Sequence, residues 1–536
     1  MPVLLRRSAA LPGEGSYDRW LAVTGTPGRL AADRRLPDLP RRLQKSFDRV
    51  RDDWIDIARR LGGRGVGRLS HTATAAAYIN DFGLMLAWSR LVDTLASEAG
   101  RTLVLCDDPW LFRHLARRAG VEAGRAPPLA NAITALYLRG LASRLRLSLR
   151  LAVAATRLGS LRQSTSAGGS FILVYGHPQS DAAGNDAYFG TLMRELPSLG
   201  RTLHTDCMPD RARELARDRR TASLHGWGSP WFAARLPFLL WRMPDDLRDV
   251  PESWLLKRAI ARENGGGALA MTRWQEHCQS RWLTATRPAA VAWPWENHPW
   301  ERSFARTARR LGVGTIGYQH AVIGRHQFNF SPRSNPDGDD SLPDVIMCNG
   351  PAYRQQLEEL GHDPGRLRIG GAFRIRREGR AFNDPAGPVY IALSAIRPIA
   401  EQMLRAASHP ALAGIAFVVK DHPLYPVSFG ETDRLKRTPL TIPESDGLRA
   451  VVYSTGTTGL EGLLAGVPTY RFLPDERIAP DILPNGISVP EVTAEELPDA
   501  LLAPRSPQPL DWADIMAPVD LAAWRETLAN PDGGPR

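Results

Sequence analysis

The sequence predicts an α/β protein with two Rossmann-like domains facing across a cleft and an extra helical region at the N-terminus. Three observations carry that expectation. Short β-branched apolar runs alternate with helical patterns over two separate stretches, the pattern of parallel sheets covered by helices. Several runs stop abruptly at polar residues, as strands do where their carboxyl ends open onto a ligand. At 536 residues the chain is also too long for a single core.

Composition narrows the partners. The net charge of +11 comes from 68 Lys and Arg against 57 Asp and Glu. Only Lys45, Lys257, Lys420 and Lys436 are lysines, a bias that points away from nucleic-acid binding. A basic balance still favours anionic partners such as sugar nucleotides, acidic glycans or lipid head groups. Cys106, Cys207, Cys278 and Cys348 have neither metal-ligand nor redox spacing, and read as reduced thiols of a cytoplasmic protein. The opening MPVLLRRSAALPGEG lacks the apolar core of a signal peptide, and no run is long enough to span a bilayer.

In chain order, residues 1–100 read as a helical extension, Arg- and Pro-rich before the amphipathic Thr72–Gly100. Residues 101–376 are predicted to form the first Rossmann-like domain, with an early strand at Thr102–Cys106 ending in Asp107–Asp108–Pro109. Within it, residues 127–158 give a basic helix. At 100° per residue Arg139, Arg146, Arg150 and Arg157 fall within roughly 20° of one line. That stripe suits either an anionic membrane surface or the wet edge of a core helix. After a Gly/Ser-rich linker, Phe171–Gly176 is a buried strand whose polar loop carries Asp186. Asp186 stands as a catalytic carboxylate or as a plain N-cap. Residues 205–287 read as helical.

Ala289–Gly324 follows as strand, loop, helix and strand. Glu296 is expected at a strand end among Trp293, Trp295 and Trp300, where aromatic burial would raise its pKa and suit it to acid–base work. The alternative has Glu296 capping the next helix or pairing with Arg302. His320 falls just past the strand Thr315–Tyr318, as a donor contact or a core histidine. The turn-rich Arg377–Pro388 reads as the domain boundary.

Residues 389–505 give the second domain, with strands at Val389–Leu393, Ile415–Val419, Leu440–Ile442, Ala450–Tyr453, Thr469–Phe472 and Ile487–Val489. Residues 506–536 end in a helix that would cross back. The second domain holds the stretch of greatest interest. FVVKDHP puts Lys420, His422 and Pro423 at one strand end, and VVYSTGTTGLEG puts Ser454, Thr455, Gly456, Thr457 and Thr458 at another. Hydroxyls and free N–H groups at the start of a helix suit a phosphate. Thr458-x-x-Glu461 has the form of a capping box, so Glu461 is structural or reaches toward a ligand. Asp337–Gly–Asp–Asp follows no strand and reads as a solvated loop, so no metal ligand or cofactor is expected.

His422–Pro423 and Ser454–Thr455 resemble the HP motif and Ser/Thr pair of GT-B glycosyltransferases, within them the bacterial sialyltransferase-like and Kdo-transferase-like enzymes. WPWENHPW at Trp293–Trp300 is similar to a Glu–Trp–Pro segment of Kdo transferases, in a different order. GYQHAVIG at Gly317–Gly324 resembles the YQHG segment of surface-carbohydrate and polyol-phosphate enzymes, with Ala321 in place of Gly. No Asp/Glu–Asp/Glu–Gly triplet stands where sialyltransferases carry theirs. The resemblance spans residues 171–500. It implies an acceptor domain, a nucleotide-sugar domain, and inverting, metal-independent transfer of an acidic sugar from a CMP donor to a surface glycan or lipid-linked acceptor. His422 would aid the leaving phosphate; Lys420, Pro423, Ser454, Thr455, Gly456, Thr457, Thr458, Glu461 and His320 would hold the donor; and Glu296 or Asp186 would be the base. A CDP-polyol transferase or a non-catalytic assembly protein are the alternatives. The protein is expected in the cytoplasm, peripherally at the inner face of its membrane.

Overall fold

A computed structural model describes residues 2–28, 30–164, 168–375, 379, 381–422, 425–507 and 510–531. Two large parallel sheets dominate it. The first has seven strands, in the order Thr221–Ser223, Gly200–Leu203, Ser170–Val174, Ala290–Pro294, Gly314–Gln319, Val345–Cys348, Leu367–Ile369. The second has six, in the order Leu435–Arg437, Phe417–Lys420, Val389–Ala392, Ala450–Tyr453, Thr469–Phe472, Glu491–Val492. In both, the first strand of the domain sits mid-sheet and chain order reverses beside it. This is the doubly wound arrangement, and its ligand crevice lies where the order reverses. The central strands are apolar along their length because helices cover both faces. Ala450–Tyr453 and Val389–Ala392 are buried throughout.

The first hundred residues are not simply helical. Val3–Arg6 and Arg19–Thr24 pair in parallel with Thr102–Cys106 to form, with Val121–Ala123, a separate four-stranded sheet. Thr102–Cys106 therefore belongs to this N-terminal unit and not to the seven-stranded sheet. Helices Leu39–Arg49, Arg51–Gly62 and Phe82–Leu95 pack around it on a core that includes Trp54 and Trp88. The unit touches both large domains. Arg35 pairs with Asp475 at 2.7 Å and Arg41 grips Glu496 with both nitrogens at 2.8 and 2.7 Å. Buried Arg302 donates to the Ala73 carbonyl at 3.1 Å.

Other boundaries also shift. Strand Thr221–Ser223 lies in a stretch that reads as helical, and Gly200–Leu203 just before it, each too short to show an alternating pattern. The strand expected at Leu440–Ile442 is Leu435–Arg437, an edge strand whose partly exposed residues carry no apolar run. The last strand is Glu491–Val492, past the expected Ile487–Val489. After residue 505 the chain returns to the first sheet. Trp524 of helix Leu521–Ala529 is fully buried there, its indole donating to the Gly370 carbonyl at 3.0 Å. All four cysteines are buried and unpaired. Among the described residues no helix is long and apolar enough to cross a membrane.

Candidate active site

The crevice of the first sheet opens between Ser170–Val174 and Ala290–Pro294, and Glu296 stands at its lip. The loop is held from below by Glu301. One Glu301 oxygen accepts from the Trp293 indole at 3.1 Å and from the backbone N–H of Glu296 and Asn297 at 2.9 and 3.0 Å. Asn297 takes a left-handed φ of 56° and ties the loop to Asn329 and Asn335. Glu296 is thereby turned outward, with its side chain 35% exposed.

Three imidazoles surround that carboxylate. His298 Nε2 lies 2.6 Å from one Glu296 oxygen and His320 Nε2 lies 3.6 Å from the other. The His71 ring meets His298 edge-on at 4.9 Å between centroids. Tyr188 meets His320 at 5.1 Å, and the Arg374 guanidinium lies 5.4 Å over the Tyr188 ring. Burial alone would raise the Glu296 pKa, but the hydrogen bond and charge of His298, with His320 and His71 behind it, bring it down to about 2. The aromatic environment expected to raise it is outweighed. Burial pushes His298 down and Glu296 more than restores it, so its pKa ends above the ordinary value. Burial holds His320 near 4 and His71 near 3, so both are neutral at pH 7. The carboxyl whose pKa is raised is Glu301, pushed to about 7 by burial. Glu296 neither caps the helix nor pairs with Arg302, which donates instead to Asn297, Ala73 and Ser334.

The crevice of the second sheet opens between Val389–Ala392 and Ala450–Tyr453, and here the Ser–Thr turn is found. Thr455 Oγ1 lies 3.1 Å from Ser394 Oγ, which also accepts from the Ile396 N–H at 3.1 Å. Ser454 is fully buried and its hydroxyl has no partner among the described residues. Such a group is costly unless something satisfies it. Gly456 has φ 135° with no atom within 4 Å of where a Cβ would stand, so the turn borders open space. Helix Thr458–Leu464 is only seven residues long, and its N-cap Thr457 makes no side-chain bond, so the expected capping box is absent. Glu461 instead lies in the field of Arg374 and Glu444, its pKa raised by burial.

Tyr78, from the N-terminal unit, joins the two crevices. Its hydroxyl contacts Thr455 and feels Glu296, and burial pushes its pKa up to about 12. A cavity of about 660 Å³ opens beside it, reaching Ile396 and Arg477 of the second domain and Asp81 and Asp108 of the N-terminal unit.

Other candidates fall elsewhere. His422 and Ser454 are not on adjacent strands. Lys420 pairs with Ala392 and Ala392 with Tyr453, so Val389–Ala392 runs between them. Two strand spacings put their loops about 10 Å apart. His422 is partly exposed and stacks on Tyr425 at 5.4 Å, and the Lys420 ammonium donates to the Pro439 carbonyl. Pro423 lies outside the described residues. Asp186 is 5% exposed and both its oxygens are used locally, by the N–H groups of Tyr188 and Phe189 and by the Ser180 hydroxyl. It closes the turn that follows it.

His71, Tyr78, His298, Ser394 and Arg374 were not singled out by their sequence. Ser394 ends a predicted strand at the same kind of polar stop as Ser454, which is a usable signal. His298 hides in one of four His-Pro pairs. His71 and Tyr78 come from a unit with no readable motif, and only folding brings them here.

No protein-family model matches the chain, and no curated protein matches it. Among solved structures, the glycosyltransferase SnogD from Streptomyces nogalater aligns at 13% identity over 68% of this chain and 94% of its own, with a TM-score of 0.32. A UDP-GlcNAc 2-epimerase from Methanocaldococcus jannaschii, in complex with UDP-GlcNAc and UDP, aligns at 9% identity over 64% and 96%, with a TM-score of 0.34. MurG from Acinetobacter baumannii aligns at 11% identity over 62% and 88%, with a TM-score of 0.30.

Proposed function

We propose that this protein is a GT-B-type glycosyltransferase that moves an acidic sugar, Kdo or a nonulosonic acid, from a CMP donor to a surface glycan or lipid-linked acceptor. The observation that carries the reading is Tyr78, whose hydroxyl contacts Thr455 at the second crevice and feels Glu296 at the first. An ionised, outward-turned Glu296 stands in one, and in the other a turn opens at Gly456 with the buried, unsatisfied Ser454 hydroxyl behind it. Ser394, Ser454, Thr455 and the backbone of Gly456–Thr458 hold the phosphate. Glu461 is the ribose contact, and Arg374 attracts the carboxylate of an acidic sugar. Lys420 and His422 lie at the outer edge of the donor, beyond the phosphate. The CMP donor itself rests on the resemblance of the HP and Ser–Thr segments.

In the reaction the acceptor hydroxyl gives its proton to Glu296 as its oxygen bonds the anomeric carbon. The bond from that carbon to the phosphate oxygen breaks, its electron pair leaves with CMP, and the anomeric configuration inverts. The charge on the leaving phosphate is met by the turn and by Arg374, with no metal in the scheme. His298 orients Glu296 and sets its proton affinity; His320 and His71 support the pair as neutral rings. The test is a donor screen read by mass spectrometry. CMP released from a CMP-sugar, with the sugar found on an acceptor, supports the reading. Transfer from UDP-hexoses alone rejects the CMP donor, and transfer of a polyol phosphate from a CDP donor favours the alternative chemistry.

A further inference from the structure

Helix Leu129–Arg157 turns a row of apolar residues to water. Two of its polar residues point inward: buried Arg144 donates to the Pro237 carbonyl at 3.0 Å, and Ser148 to the Ala233 carbonyl at 2.6 Å. A row of its apolar residues points outward, with Leu138 65%, Leu145 48%, Leu149 71% and Val153 51% exposed. With Leu141 these fill a sector of about 120° on the helix surface. The segment that covers Arg144 and Ser148 borders this sector on one side, and it carries Trp231, 83% exposed, and Phe238, 79% exposed. Arg139, Arg146, Arg150 and Arg157 border it on the other. The helix has no Asp or Glu, and none of these four arginines forms an ion pair among the described residues. Arg139 donates to the Gly265 carbonyl at 2.9 Å, and Arg150 contacts the Met208 sulfur at 3.5 Å.

An apolar band this long on a water-facing surface marks an interaction site. The charge pattern selects the occupant. We propose that this face docks onto an anionic lipid bilayer, with the leucine stripe and the two aromatic rings in the interface and the arginines against phosphate head groups. Basic residues on one edge and aromatic side chains on the other are what an interfacial helix uses. A protein partner or a second copy would have to supply an acidic row opposite the arginines. The near end of the helix, Ala132 and Leu136, lines the 660 Å³ cavity beside Tyr78. Docking would therefore lay a membrane along an element that begins at the cavity wall. The docking stands on its own; only its value in presenting a lipid-linked acceptor rests on the transferase reading.

The full chain is floated with vesicles of phosphatidylglycerol and phosphatidylcholine, and with phosphatidylcholine alone. Binding is expected to the anionic vesicles and to fall as salt rises. Exchanging Arg146 and Arg150 for Gln should weaken it by roughly thirtyfold. Leu145→Glu with Leu149→Glu, or independently Trp231→Ser with Phe238→Ser, should weaken it at least tenfold while the melting temperature stays at the wild-type value. Nucleotide binding, read by calorimetry, should survive all these changes, which separates failure of docking from failure of the catalytic reading. A wild type that does not float with anionic vesicles overturns the proposal. So does a leucine-dependent dimer in light scattering without vesicle binding, or undiminished flotation of both apolar variants.

Discussion

His298 Nε2 and a Glu296 carboxylate oxygen stand 2.6 Å apart at the mouth of the first crevice, and each moves the other's proton affinity in opposite directions. Glu296 is held below the ordinary carboxylate range and His298 above the ordinary imidazole range. While His298 is protonated, Glu296 is a weak base. Once His298 loses its proton, the restraint on Glu296 is lifted. Activity should therefore rise with pH through a value above 6.5. In His298→Gln that limb should move to lower pH, with kcat falling more than KM changes. A pH–rate profile identical in the two proteins would remove His298 from the mechanism.

The same pair predicts a window of stability. The depressed Glu296 contributes fully above 4.5 and loses its contribution as pH falls toward 2. The raised His298 contributes fully below 6.5 and loses its contribution as pH climbs past its folded value. The Tm difference between wild type and His298→Gln should thus be greatest between pH 4.5 and 6.5. A difference that does not change with pH would show that the pair is not coupled.

Glu301 behaves in the opposite sense. Its folded pKa near 7 means the folded protein resists its ionisation, so it lowers stability as pH rises from 4.5 through 7. Glu301→Gln keeps an acceptor for the three N–H donors and removes the charge. Thermal melts should show the variant gaining on wild type at pH 8 relative to pH 5. A loss at pH 8 would mean the carboxylate is stabilised by a group not in this arrangement.

Ser454 separates stability from binding. Removing a buried hydroxyl with no partner should leave Tm unchanged or slightly higher. If that hydroxyl meets a phosphate, nucleotide affinity should fall about tenfold or more, the loss of roughly 1.5–3 kcal/mol for a hydrogen bond to a charged group. Calorimetry of Ser454→Ala with CMP checks both the size and the direction.

His422 and Glu296 stand at unequal distances from the reacting groups. His422→Ala should lower kcat/KM by less than about tenfold, since it stands two strand spacings from the turn. Glu296→Gln should cost between about a hundredfold and ten-thousandfold, the usual range for a general base. Steady-state rates of the two variants decide it; a larger effect at His422 would reverse the roles.

How much of this was legible follows from how local each feature is. Strands such as Ala450–Tyr453 declare themselves as buried β-branched runs with polar stops, and so both crevices could be located from sequence. The sign of the Glu296 shift could not, because it depends on how the loop turns His298 onto the carboxylate, and then on His320 and His71, 24 and 225 residues away in the chain. The strand Val389–Ala392 between His422 and Ser454 follows from doubly wound order, which adjacent motifs do not reveal. The short strands Val3–Arg6 and Thr221–Ser223 carry too few residues to show a period. The leucine face of helix Leu129–Arg157 was half legible. Its arginine line could be projected, but which side is buried depends on what packs there.

The most direct measurement is calorimetric titration of CMP into wild type, Thr455→Val and Glu296→Gln. CMP should bind wild type, bind Thr455→Val about tenfold more weakly, and bind with wild-type affinity a Glu296→Gln protein that no longer transfers sugar. Equal affinity in wild type and Thr455→Val, or no binding of CMP to any of the three, would contradict it.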